Sequence, residues 1–96
     1  MFSSEGISKK LGEYLRVKRV DAGLSQKQVA DKLKYSTPQF VSNFERGLCA
    51  PPMKALRVLV RLYNLNASEF TNFVLELQEE YLKREIQGVS RARKAK

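Results

Sequence analysis

The chain has no histidine and no tryptophan, a single cysteine, and only five glycines and three prolines in 96 residues. Without histidine, the usual Cys/His zinc sites and histidine-based acid–base or triad catalysis are excluded. With Cys49 alone, no disulfide can close within the chain, which suits a reducing cytoplasm, and the residue reads as an incidental loop thiol. No Gly-rich phosphate loop is present. The expectation is therefore a protein that is not an enzyme, with no catalytic set, no cofactor and no metal. Apolar runs are a few residues long, far short of the ~20 that span a bilayer. The opening MFSSEGISKK lacks the apolar stretch of a secretory signal. A cytoplasmic protein with no membrane contact is expected.

Acid is also scarce, and it is unevenly placed. Lysine and arginine number 18 against 10 acids, for a net charge of +8. Residues 1–63 hold 12 bases and 5 acids, residues 64–85 hold 2 and 5, and residues 86–96 hold 4 and none. A basic body, an acidic segment and a basic tail point to a polyanion on one face and a different contact on another.

What is present is helical periodicity. With 43% hydrophobic residues, the length supports one domain with one core. Five helices are predicted, at about 7–22, 25–34, 37–46, 52–63 and 67–86, and no strand. Ile7, Leu11 and Leu15 make one stripe on the first helix, and Gly23 ends it. Ser25 and Gln28 form an S-x-x-Q capping box at the start of the second, and Val29, Ala30 and Leu33 face inward. Lys34-Tyr35-Ser36 is a turn. Ser36 or Thr37 then caps the third helix, with Pro38 in its first turn and Val41 and Phe44 buried. Leu56, Leu59, Val60 and Tyr63 face inward on the fourth helix, and Asn64 takes the left-handed position after it. Asn66 and Glu69 start the fifth. It carries a stripe of Phe70, Phe73, Val74, Leu77 and Tyr81, and a second apolar face of Leu75, Leu82 and Ile86. Residues 87–96 read as a disordered basic tail, able to track phosphates or to be an ordinary charged terminus. The single domain thus spans 1–86.

The combination Gly23-Leu24-Ser25-Gln26, Val29-Ala30, Val41-Ser42-Asn43-Phe44-Glu45-Arg46-Gly47 and the following prolines resembles the Cro/lambda-repressor-like, or XRE-type, helix-turn-helix family over about residues 11–72. The resemblance implies an all-α, compact five-helix DNA-binding fold, here with an extended C-terminal helix. It also implies a recognition helix at 37–46 in the major groove and a homodimer on a pseudo-palindromic operator. The turn Lys34-Tyr35-Ser36 is one residue longer than the commonest form, and the family often has glycine where Lys34 stands.

With Val41 and Phe44 buried, Gln39, Phe40 and Asn43 must point away from the core. Glutamine and asparagine offer adenine a bidentate match, and Gln39, Asn43 and Thr37 fall at the family's base-contacting positions. Phe40 has two readings, covering a thymine methyl or tucking over Tyr35. Phosphate contacts are expected from Gln26 and Lys27 at the start of the second helix, Lys34 and Ser36 in the turn, and Arg46 and Lys54 around the next loop. The resemblance pairs Arg19 with Glu45 as an internal salt bridge. Leu75, Tyr81, Leu82 and Ile86 exceed what so small a core can cover, so a second copy of the helix is the expected partner. The resulting expectation is a sequence-specific transcriptional regulator, such as a repressor. Antitoxins, with a cognate toxin as second partner, and restriction–modification controllers share this design. A protein–protein module that has lost DNA binding is the rival from another class.

Overall fold

The computed structural model describes the backbone of residues 5–94 and the side chains of residues 6–86. Among the described residues five helices follow one another: α1 Glu5–Asp21, α2 Gln26–Lys32, α3 Gln39–Glu45, α4 Met53–Leu62 and α5 Ala67–Lys94. No strand occurs among the described residues, and no helix is long and apolar enough to cross a membrane. The architecture is the expected all-α one.

Each helix has an apolar side that must be covered, so these sides are pooled, and α5 keeps a second, exposed one in Leu75, Leu82 and Ile86. Ile7, Leu11 and Leu15 of α1 are buried against Val29 and Ala30 of α2, Val41 of α3, Leu56, Leu59 and Tyr63 of α4, and Phe70, Val74 and Leu77 of α5. Leu11, Leu15 and Val29 are completely enclosed, each stabilising the fold by about 1.5–3 kcal/mol. Tyr14 of α1 stacks on Phe73 of α5 with ring centroids 4.3 Å apart, and Lys10 pairs with Glu80 at 3.1 Å.

The first four helices stop in the same way. After each, one residue turns left-handed, and its own amide and the next one fold back on the last turn. The left-handed residues are Gly23 (φ 74°), Lys34 (φ 63°), Gly47 (φ 75°) and Asn64 (φ 53°). The amides of Leu24, Tyr35, Leu48 and Leu65 reach the carbonyls of Arg19, Ala30, Asn43 and Val60, at 2.9–3.2 Å. Glycine and asparagine accept this conformation easily, whereas lysine carries a Cβ that crowds the neighbouring carbonyl. Lys34→Gly is therefore expected to stabilise the fold by about 1 kcal/mol, the relief being partly offset by a freer unfolded chain. A urea melt checks this, and a lower midpoint for the variant would contradict it.

Two boundaries differ from expectation. Helix α3 begins at Gln39 rather than 37, and Pro38 is its N-cap instead of lying inside its first turn. The residue before a proline is driven out of the helical region, so Thr37 cannot join the helix. Its hydroxyl instead accepts from the Gln39 amide at 3.2 Å. Helix α5 continues to Lys94, past the expected end at 86, so the tail read as disordered is helical that far. Alanine, arginine and lysine favour helix, and Gly88 costs only about 1 kcal/mol without breaking it. The side chains of Arg91, Arg93 and Lys94, and all of Lys96, lie outside the described residues.

Candidate nucleic-acid interface

Helix α3 is seven residues long and cannot stand alone. Its inner side holds Val41, Phe44 and Glu45, all buried. This fixes its rotation and turns Gln39, Phe40 and Arg46 outward, with Asn43 half-buried between them.

These outward groups are linked. The Asn43 side-chain oxygen accepts from Gln39 Nε2 at 3.0 Å and from Arg46 Nη2 at 2.9 Å. The spacings i,i+4 and i,i+3 bring all three onto one face of the helix. The second Nε2 hydrogen and the side-chain oxygen of Gln39 are left for an outside partner, the pair that matches adenine N7 and N6. Phe40 is 50% exposed, and its ring lies 5.0 Å from that of Tyr35. The ring thus packs on Tyr35 while half of its surface stays open. Thr37 and Ser36 are exposed beside it.

The basic residues expected on phosphates are all at the surface. Lys27, Lys34, Arg46 and Lys54 are exposed, and none is paired with a carboxylate among the described residues. Lys34 and Lys54 line one shallow depression where the α2–α3 turn meets the start of α4. Lys32 joins them there, a residue the sequence reading passed over. Its position in the last turn of α2 was the available signal.

Gln26 is the residue whose surroundings differ most from its expected role. Its Nε2 donates to Glu45 Oε1 at 2.9 Å, so the side chain leans onto α3. Gln28 closes the capping box instead: its oxygen accepts from the Ser25 amide at 2.8 Å, and its own amide donates to Ser25 Oγ at 3.1 Å.

Glu45 is the hub beneath this surface. Arg19 Nε donates to Glu45 Oε2 at 2.6 Å and Arg19 Nη2 to Oε1 at 3.2 Å, while Nη1 donates to the Leu24 carbonyl at 2.7 Å. The two side chains are 12% and 4% exposed. Arg19 is held above its usual pKa, chiefly by the hydrogen bond to Glu45. Burial pushes the Tyr63 phenol well above its usual value, and the nearby Glu45 charge adds to this. One carboxylate thus ties the end of α1, the start of α2 and the end of α3 together, which sets the angle at which α3 stands out from the domain.

Elsewhere the described residues show no cluster of acids and cysteines able to hold a metal, and Cys49 is a free, exposed thiol. Of the four residues assigned to pairing on α5, Leu75, Leu82 and Ile86 are 55%, 56% and 63% exposed. Tyr81 is half-buried on its own core. It continues the Phe70, Val74, Leu77 stripe one turn further, so it faces α1 rather than solvent.

No curated protein matches the chain. A family model described as a helix-turn-helix domain matches residues 10–73, from the second turn of α1 through the first turns of α5. With two thirds of its length matched, including the α2–α3 unit and the carboxylate hub that braces it, the chain belongs to the helix-turn-helix domain family.

Proposed function

We propose that the protein is a sequence-specific, non-catalytic regulator that binds double-stranded DNA as a homodimer, with α3 in the major groove. The observation that carries this reading is the Gln39–Asn43–Arg46 chain on the outer face of a helix whose inner face is fully committed to the core. The side chains are held in place before any DNA arrives, so less freedom is lost on binding. Gln39 reads an adenine edge, Asn43 and Phe40 read its neighbours, and Thr37 reaches the base nearest the start of the helix. Lys27, Lys34, Ser36, Arg46 and Lys54 neutralise or bond the phosphates on either side, and Gln26 contributes from the start of α2. Pairing through the exposed α5 face sets two copies of α3 about 34 Å apart, one turn of duplex.

Selection of bound duplexes from a random pool tests the reading. A palindromic consensus with half-sites one turn apart is expected, and recovery of no consensus would sink it. On the selected site, Gln39→Ala should cost about 1–3 kcal/mol of discrimination while binding to random duplex persists. Lys34→Ala and Lys54→Ala should instead weaken binding to every duplex and lower the salt slope by about one for each charge removed. Unchanged discrimination in Gln39→Ala would remove α3 as the reading helix.

A further inference from the structure

An open apolar groove of about 450 Å³ runs between α4 and α5, within the size range of small-molecule sites. Leu56, Val60, Phe70 and Val74 form its floor, and Met53 and Leu75, each more than half exposed, form its lips. Its lining follows about 12 Å of α4, up to Arg61, and about 16 Å of α5, up to Gln78. Among the described residues no acid lines it, and its charged groups are Arg57 and Arg61 of α4. Neither arginine is paired with a carboxylate among the described residues. Residues four apart on a helix are neighbours, so both guanidiniums can reach one anionic group.

We infer that this groove binds a free single-chain aliphatic carboxylate, with the chain on the floor and the headgroup between Arg57 and Arg61. Charge sets the sign of the headgroup, and the guanidinium fork matches the two oxygens of a carboxylate. Apart from the arginines, only Thr71 and Gln78 bring polar side chains to the lining. A body bearing many polar groups would lose their hydration there without replacement. A lining stretched along two helices suits a chain better than a compact ring system. The protein's own α5 does not supply the occupant. Beyond the groove, residues 81–94 hold five bases and one acid, which the two arginines repel. Duplex DNA does not supply it either, since its phosphates leave the apolar floor uncovered. Leu82 and Ile86 lie past the groove and stay open to a second copy, so the site depends neither on DNA binding nor on pairing.

Calorimetric titration of the full chain with decanoate and dodecanoate, below their micelle concentrations and without DNA, tests this. Saturable one-to-one binding is expected. A chain enclosed on one side gains about twofold per methylene, half the free energy of full burial, so dodecanoate should bind about fourfold tighter than decanoate. Dodecyltrimethylammonium has the same chain and the opposite charge, and should bind at least about tenfold more weakly than dodecanoate. Arg57→Gln and Arg61→Gln should each weaken dodecanoate about fivefold at low salt and less at high salt. Both positions are exposed, so circular dichroism should stay unchanged. Methyl resonances of Met53, Val60 and Leu75 should shift on binding, and those of Leu82 and Ile86 should not. No saturable binding at millimolar dodecanoate, equal binding of the cationic amphiphile, or arginine variants that bind like wild type would each overturn the inference. Association only with vesicles carrying the acid would overturn it in favour of a membrane surface. Binding only of acidic amphipathic peptides would overturn it in favour of a partner helix.

Discussion

Arg19→Met is expected to destabilise the domain by about 3–5 kcal/mol, a large part of what a protein of this size has. The substitution keeps most of the side chain's bulk, so packing is not the cause. Glu45, with 4% of its side chain exposed, would keep its charge and lose two of three described hydrogen bonds, leaving the neutral amide of Gln26. The Leu24 carbonyl would lose its guanidinium donor as well. Arg19→Lys should recover only part of the loss, because one ammonium cannot reproduce a three-nitrogen fork reaching two acceptors on different elements. The informative control is Arg19→Met combined with Glu45→Met. If the single variant fails because a charge is stranded, the double variant should be more stable than the single one. Urea unfolding of the three proteins checks this. A double variant at least as unstable as Arg19→Met would mean that packing, not charge, holds the junction.

The same junction separates what could be read in the chain from what could not. Local signals were legible. Ser25 with Gln28, Asn66 with Glu69, and the stripes of α1, α4 and α5 involve residues within one or two turns, where spacing alone fixes geometry. Arg19 and Glu45 lie 26 residues apart, and no periodicity joins them; the family resemblance supplied that pairing. Gln26 was read outward because it opens a helix, but a buried carboxylate on another helix draws its amide inward. Lysine itself is ordinary in helices and turns alike, so the one sign of a left-handed backbone at Lys34 was the glycine that the resembled family often has there. The exposed face of α3 followed from the burial of Val41 and Phe44, whereas the link from Arg46 to Asn43 depends on rotamers that composition does not encode. The end of α5 was misjudged because Gly88 can stop a helix or merely weaken it, and nothing beyond it forbids continuation.

Gly12, like Lys32, went unread in the sequence, and it carries the other large expected effect. In the middle of α1 a glycine costs about 1 kcal/mol relative to alanine, so Gly12→Ala looks stabilising by propensity alone. The tertiary structure reverses that sign. A Cβ built on Gly12 would lie 2.4 Å from the Phe44 carbonyl oxygen and 2.6 Å from that of Glu45. Both obstacles are backbone, so no side chain can swing aside and α3 itself must lift from α1. Overpacking of this kind costs about 1–3 kcal/mol and occasionally more, and rigid neighbours put Gly12→Ala at or above the top of that range. The displaced residue would be Glu45, so the lift would also stretch the bonds to Arg19 and Gln26. Gly23 supplies the contrast, because nothing lies within 4 Å of a Cβ there and substitution meets only the left-handed φ. Gly23→Ala should therefore cost about 1 kcal/mol, well below Gly12→Ala. Thermal or urea melts of the two variants order them directly. If Gly12→Ala proves as stable as the parent, α1 and α3 do not approach as closely in solution as the carbonyl distances require. The orientation of α3 would then have to rest on the bonds of Arg19 and Gln26 to Glu45 and on the burial of Val41 and Phe44.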